Sequence, residues 1–84
     1  MKGPPPRVTA PEAIATIRDC SDSGIRILGL DGFTVLPECF RADLDLMLDV
    51  SNRPMTAEEA AAEAVAFIDN RARPDVIWEV WTDE

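Results

Sequence analysis

The pattern of apolar and polar residues predicts six elements of regular structure, the first of which is a helix that begins after Thr9. The Thr9 hydroxyl is placed to cap this helix, and Glu12 three residues later completes a capping box. Gly24 supplies the stop signal. Between these two ends, apolar residues recur at helical spacing, namely Ala13, Ile14, Ile17 and Cys20.

Residues 25–36 predict two strands joined by a tight turn. Two apolar runs flank Asp31 and Gly32, and an Asp-Gly pair favours a type I′ turn because both of its central positions need a positive φ. A two-residue turn would pair Leu30 with Phe33. Both sides of this hairpin are apolar, so the pattern leaves open which of its faces is buried.

Residues 43–50 alternate strictly between apolar and polar positions, which predicts a half-buried strand. A helix that starts at Phe40 is the competing interpretation, but it places Leu46 and Val50 poorly. The strand puts Leu44, Leu46, Leu48 and Val50 on one side and Asp45, Met47 and Asp49 on the other.

A second helix is predicted after Thr56, where Thr56 and Glu59 repeat the capping-box pattern. It runs to about Ala72, and Pro74 prevents its continuation. Small alanines dominate its expected core stripe, which consists of Ala60, Ala61, Ala64, Val65, Phe67 and Ile68.

The last predicted element is a strand in residues 76–81, which are rich in β-branched and aromatic side chains. Alternation assigns Val76, Trp78 and Val80 to the inner side of the sheet. It assigns Ile77, Glu79 and Trp81 to the outer side.

These elements predict a single α+β domain in residues 9–84, preceded by a disordered proline-rich lead-in at residues 1–8. The order α-β-β-β-α-β gives a two-layer sandwich with a four-stranded, mostly antiparallel sheet. Its last strand returns parallel to the third, and both helices cover one face of the sheet. The other face is expected to be bare.

The charge balance narrows the classes of partner. The chain contains sixteen acidic and eight basic residues, so its formal net charge is −8. This charge repels phosphate backbones and anionic lipid, so we expect neither direct nucleic-acid binding nor membrane binding. It favours a protein partner with a basic surface. The chain also lacks an apolar signal region and any apolar run of the roughly 20 residues that a membrane span requires, which predicts a cytoplasmic protein.

The residue types that are missing argue against catalysis and against a metal site. The chain contains no His and no Tyr, so Cys20 and Cys39 have no histidine to activate them. Two isolated thiols do not complete a zinc shell. Residues 19–24 resemble the start of a calcium loop, but Leu30 stands where the bidentate Glu is required. We therefore predict no catalytic residue, no metal and no cofactor.

The outer side of the sheet carries the candidate site. Large apolar groups outside a small core are informative when they cluster, and Trp and Met are enriched at the centres of protein interfaces. The apolar members are expected to be ringed by carboxylates. The predicted partner-binding residues are Asp45, Met47, Asp49, Ile77, Glu79, Trp81 and Asp83.

The leading hypothesis is an acidic, non-enzymatic protein-binding module that engages a basic, nucleic-acid-binding surface of another protein. Inhibitors and immunity-type proteins share this charge and size, whether they neutralise toxins or block bacterial defence complexes as anti-CRISPR proteins do. The alternative is a structural homodimer or complex subunit that buries the same sheet face. A third hypothesis is a metal-dependent enzyme in which Asp45 and Asp49 hold Mg²⁺ or Mn²⁺.

Overall fold

The computed structural model describes residues 5–83, which form two helices and a three-stranded antiparallel sheet. The elements in chain order are α1 (Ala10–Asp22), β1 (Ile27–Val35), β2 (Phe40–Asp49), α2 (Ala57–Arg71) and β3 (Val76–Thr82). The order in the sheet is β2-β1-β3, and β1 is antiparallel to both of its neighbours. The α+β class is confirmed. The fourth strand and the α-β-β-β-α-β order were wrong.

The missing strand is explained by Asp31 and Gly32, which lie inside β1 and do not form a turn. Neither residue has the positive φ that a type I′ turn requires. Gly32 instead serves packing, because a Cβ atom at this position would lie 2.6 Å from Cβ of Leu46 and 3.0 Å from Cζ3 of Trp78. The chain reverses later, in residues 36–39, where the Leu36 N–H donates to the Cys39 carbonyl over 2.8 Å.

An irregularity in β2 changes which of its side chains share a face. Asp31 pairs with Met47 and Phe33 pairs with Ala42, so residues 43–46 of β2 face Gly32 alone. These extra residues reverse the alternation along the strand. The strand prediction for this segment is confirmed, but Leu44 is 84% exposed and does not share the buried side of Leu46.

Both helices begin as the capping boxes predict. The Thr9 N–H donates to Oε1 of Glu12 over 3.0 Å, and the Thr56 N–H donates to Oε1 of Glu59 over 2.9 Å. The reciprocal bonds from the backbone of each Glu to each Thr hydroxyl are also present. Gly24 adopts φ +74° immediately after α1, as expected for a stop signal.

The core lies between the two helices and one face of the sheet. Trp78 is fully buried at its centre and meets the Phe67 ring edge-on, with 6.1 Å between the ring centroids. The alanines of α2 let this helix lie close to the sheet. Both helices pack against the same face of the sheet, as predicted. The buried apolar residues are Ala13, Ile17, Ile27, Leu30, Leu46, Val50, Ala60, Ala61, Ala64, Ile68, Val76, Trp78 and Val80.

The end of the proline-rich lead-in is attached to the sheet. The Val8 N–H donates to the Trp78 carbonyl over 2.8 Å, and the Trp78 N–H donates to the Val8 carbonyl over 2.7 Å. Val8 also packs against the core, a contact that the prediction of a disordered lead-in at residues 1–8 did not include. Residues 1–4 of that segment lie outside the described residues. In residues 5–83, neither helix has the length and apolar character needed to cross a membrane.

The packing role of Gly32 gives a test of the strand assignment. We expect Gly32→Ala to lower the free energy of unfolding by about 1–3 kcal/mol, because the added methyl overpacks the core. Combined with Leu46→Gly, which removes the Cβ atom that the added methyl would meet, it should show a favourable coupling of at least about 0.5 kcal/mol. Urea unfolding of the four proteins in this double-mutant cycle measures the coupling.

Gly24→Ala is the matched control for this cycle. A Cβ atom at Gly24 meets nothing within 4 Å, so its cost of about 1–2 kcal/mol arises from the left-handed backbone alone. It should therefore be additive with Leu46→Gly. Additivity of Gly32→Ala with Leu46→Gly would contradict the packing of Gly32 inside β1.

Candidate functional site

The sheet face opposite the helices, here called the outer face, carries a mixture of aromatic, aliphatic and acidic side chains. Its membership follows from the strand register, in which residues opposite one another project to the same side. Across the sheet it consists of Phe40, Ala42, Met47 and Asp49 from β2, Gly29, Asp31, Phe33 and Val35 from β1, and Ile77, Glu79 and Trp81 from β3.

Arg7 covers one part of the outer face. Its guanidinium carbon lies 4.5 Å from the centroid of the Phe33 ring and 4.9 Å from that of Phe40. Its Nε donates to Oε2 of Glu79 over 3.1 Å. The pairing of Val8 with Trp78 places Arg7 beside β3, so its side chain extends across the sheet toward β2. Phe33, Phe40 and Glu79 form what we call the covered half.

Glu79 therefore does not have the rim position that the sequence predicted. Its side chain is only 9% exposed and is bonded to Arg7. A carboxylate that has lost most of its hydration needs such a partner, because an unpaired buried charge is costly. Glu79 thus attaches the N-terminal segment to the sheet.

The other part of the outer face, called the open half, is a shallow depression of about 240 Å³. Gly29 contributes to its lining and lies directly opposite Asp49 on β2 and Trp81 on β3. A Cβ atom at Gly29 would collide with the backbone carbonyl of Leu48, so glycine permits the close approach of β2 to β1 at this point. The depression is lined by Leu28, Gly29, Leu30, Asp31, Leu48, Asp49, Ser51 and Trp81.

Trp81 is held in a fixed orientation at this depression. Its indole Nε1 donates to Oδ2 of Asp31 over 3.0 Å, while 39% of the residue remains exposed. This bond satisfies the polar edge of the ring and leaves apolar ring surface facing solvent. The open half therefore presents a positioned aromatic group next to a carboxylate.

Asp49 supplies a second carboxylate to the depression. Its Oδ1 accepts hydrogen bonds from the hydroxyl and the N–H of Ser51, over 2.6 and 2.9 Å. These bonds, that of the hydroxyl above all, hold the pKa of Asp49 below its ordinary value because they stabilise the ionised form. Asp49 is therefore negatively charged throughout the neutral and mildly acidic range.

The structure brings together five of the seven residues predicted to bind a partner. Asp49 and Trp81 line the open half, Met47 lies opposite Asp31 on the outer face, and Ile77 is half-buried opposite Phe33. Glu79 shares this face but is paired with Arg7.

Asp45 and Asp83 are located elsewhere. Asp45 lies in the irregular part of β2, where its carbonyl accepts from Nε of Arg71 over 3.0 Å and where it lines a separate depression at the end of α2. Asp83 follows β3 and accepts from the Arg26 N–H over 3.3 Å. Asp45 and Asp49 thus do not form the carboxylate pair that an ion would need.

Two charged residues of this face were missed by sequence reasoning. Asp31 was assigned to a turn, and Arg7 was assigned to an unpacked lead-in. A signal for the second existed, since Val8 immediately precedes the Thr9 cap, and an apolar residue there commonly packs back onto the first turns of the helix. No local signal identified Asp31, whose position depends on β1 continuing through Gly32.

Neither a metal centre nor a known relative assigns a chemistry to this face. Within the described residues, no group of three or more Asp, Glu, Cys or His side chains is arranged to hold a metal ion. No protein-family model, curated protein or solved structure matches the chain. The function must therefore be inferred from the side chains of the outer face.

The attachment of Arg7 can be tested by its energetic coupling to Glu79. We expect Arg7→Met to lower the free energy of unfolding by about 1–3 kcal/mol, because it leaves the buried Glu79 carboxylate without its partner. In a Glu79→Gln background the same substitution should cost clearly less. Arg73→Met is the control, since Arg73 and Asp75 are 3.9 Å apart with side chains 57% exposed, and its effect should stay within about 0.5 kcal/mol.

The Ser51 bonds predict how Asp49 responds to pH. Ser51→Ala should raise the pKa of Asp49 toward its ordinary value, as followed by carbon-detected NMR of the carboxyl group. Because folding lowers the pKa of Asp49, this carboxylate stabilises the folded state at pH values above its unfolded-state pKa. This stabilisation is lost as the pH falls through the folded-state pKa. The variant should therefore lose less stability on acidification. Ser23→Ala, at the end of α1, is the control. An unchanged pKa of Asp49 in Ser51→Ala would contradict the assignment.

Proposed function

We propose that this chain is a non-enzymatic, acidic protein-binding module whose outer face engages a basic surface of another protein. The observation that carries the proposal is the open half, where the exposed Trp81 ring lies beside two carboxylates, Asp31 and Asp49. Within residues 5–83, neither carboxylate is part of an ion pair. A surface of this kind combines apolar contact with charge complementarity toward a cationic partner.

The distribution of exposed apolar side chains supports an interface on this face. Five large apolar residues are exposed in the described part of the chain, and four of them, Val35, Phe40, Met47 and Trp81, belong to the outer face. The fifth is Leu44 in the irregular part of β2. Clusters of this kind mark binding surfaces, whereas single exposed apolar residues are common on any protein.

The charges support a basic partner. The net charge is −8, and several of the few cations are engaged inside the molecule. Arg7 pairs with Glu79, Arg53 pairs with Glu63 at 2.6 Å, and Arg26 donates to backbone carbonyls. The remaining carboxylates generate a field that accelerates encounter with cationic proteins and repels nucleic acid.

This arrangement suits an inhibitor or immunity-type protein that occupies the nucleic-acid-binding surface of its target. Toxin-neutralising proteins and anti-CRISPR-like blockers of bacterial defence complexes work by this logic, in which carboxylates take the place of phosphates. Their targets are cytoplasmic, so we place the chain there. The resemblance to those proteins is one of charge and size.

A homodimer through the outer face is the second candidate, and the carboxylates argue against it. In a two-fold dimer the same surface meets itself, so each copy would present Asp31 and Asp49 to the other. Like charges facing each other across an interface are costly. A cationic partner removes this repulsion, which is why we favour a foreign protein. Asp45 and Asp49 line different depressions, which argues against the metal-dependent enzyme as an alternative.

The proposal predicts a monomer that binds basic proteins in a salt-dependent manner. Light scattering after size exclusion, at about 0.05 M and 0.5 M salt, should give the monomer mass in both conditions. Immobilised protein should then retain basic proteins from a cell extract at low salt and release them at high salt. Trp81→Ala should abolish most of this retention.

Leu44→Ala is the matched control for the retention assay, because Leu44 is an exposed apolar residue outside the outer face. It should retain the same proteins as the wild type. Equal retention by Trp81→Ala and the wild type would overturn the proposal. A salt-resistant dimer that Trp81→Ala dissociates would establish the homodimer in its place.

A further inference from the structure

We propose that the open half of the outer face is a receptor for an arginine side chain of the partner. The guanidinium would lie against the Trp81 ring and donate hydrogen bonds to the carboxylates of Asp31 and Asp49. This inference rests on the proposed function and specifies the chemistry of its central contact.

The covered half already binds a guanidinium group, that of Arg7. Arg7 lies over the rings of Phe33 and Phe40 at 4.5 and 4.9 Å, and it donates to the carboxylate of Glu79. The site thus consists of aromatic faces on the sheet and a carboxylate from β3. Guanidinium groups favour this combination because they are planar, weakly hydrated and rich in N–H donors.

The open half repeats these components, and no cation from residues 5–83 is paired with its carboxylates. Trp81 provides the ring, and tryptophan is the strongest of the aromatic partners for a cation. Asp31 uses Oδ2 for the Trp81 indole, and its Oδ1 has no hydrogen-bond partner in residues 5–83. Asp49 binds Ser51 through Oδ1, and its Oδ2 has no hydrogen-bond partner in residues 5–83. Both carboxylates and the Trp81 ring line the same depression.

The two arginines beside the depression are committed elsewhere. Ser51 lines the depression. The Arg26 guanidinium donates to the Ser51 and Arg53 carbonyls over 2.7 and 2.9 Å. Arg53 is paired with Glu63. Within residues 5–83, neither of these two arginines is available to the site, so a cation from another molecule fits it, in agreement with the acidic charge of the chain.

Arginine fits this site better than lysine. A guanidinium carries five N–H donors in one plane, so it can stack on an indole and reach two separate carboxylates at once. An ammonium group is a compact, strongly hydrated charge that gains less from an aromatic face. The depression of about 240 Å³ is also shallow and open to solvent, which suits a flat group.

The test is an NMR titration of the full chain with N-acetyl-arginine amide, whose only charge is the guanidinium. The indole N–H of Trp81 is the reporter, and that of the buried Trp78 is the internal control. We expect a saturable shift of the Trp81 signal alone. N-acetyl-lysine amide should bind more weakly, and the uncharged isostere N-acetyl-citrulline amide should cause no saturable shift.

Asp49→Asn tests the carboxylate and leaves the bond between Trp81 and Asp31 intact. It should raise the Kd of the arginine probe about two- to five-fold, the range expected for one solvent-accessible ion pair. Asp69→Asn is the matched control, because Asp69 is exposed on α2 in the helix layer and the change in net charge is the same. The Kd should be unchanged in that variant.

Equal shifts with arginine and citrulline probes, or equal Kd values for Asp49→Asn and Asp69→Asn, would overturn the arginine receptor. The retention assay separates this failure from that of the proposed function. If retention of basic proteins still depends on Trp81, the outer face remains the binding surface and only the guanidinium assignment is lost. If neither assay depends on Trp81, both proposals fail.

Discussion

The rest of the structure depends on the absence of a side chain at Gly32. Leu46 of β2 and Trp78 of β3 both pack onto this position, and a single added carbon would collide with them. Because the two side chains meet over Gly32, β1 continues through it and joins both neighbouring strands. The same contact fixes which residues face the helices, since alternation along β1 then assigns Leu30 to the core and Asp31 to the opposite side.

The outer face is organised by a second constraint, the need to neutralise charge near apolar surface. Arg7 meets it in the covered half, where one guanidinium satisfies the buried Glu79 and covers two aromatic rings. Asp31 and Asp49 have no such ion partner in the described part of the chain. Because of this difference between the halves, we propose that a cationic group from a partner pairs with the carboxylates of the open half, as Arg7 pairs with Glu79 in the covered half.

The sequence predicted those features that depend on neighbours in the chain. Both helices follow from capping boxes and helical periodicity, and β3 follows from a short β-branched and aromatic run. Local reasoning failed at Asp31 and Gly32, where turn propensity was overridden by packing against strands far away in sequence. It failed again at Leu44, because the irregularity in β2 is a matter of register with β1. Trp81, Met47, Asp49 and Ile77 were placed on the outer face correctly, whereas Asp31 and Arg7 required the three-dimensional structure.

Gly29 lies between Asp49 and Trp81 in one continuous strand, and the open half depends on this arrangement. Nuclear Overhauser effects of a ¹³C,¹⁵N-labelled sample test it directly. We expect cross-strand contacts from Gly29 to Asp49 on one side and to Trp81 on the other. Contacts that pair Gly29 with Thr34 and Leu30 with Phe33 would instead show a hairpin turn at Asp31 and Gly32, and the three-stranded sheet with its open half would be wrong.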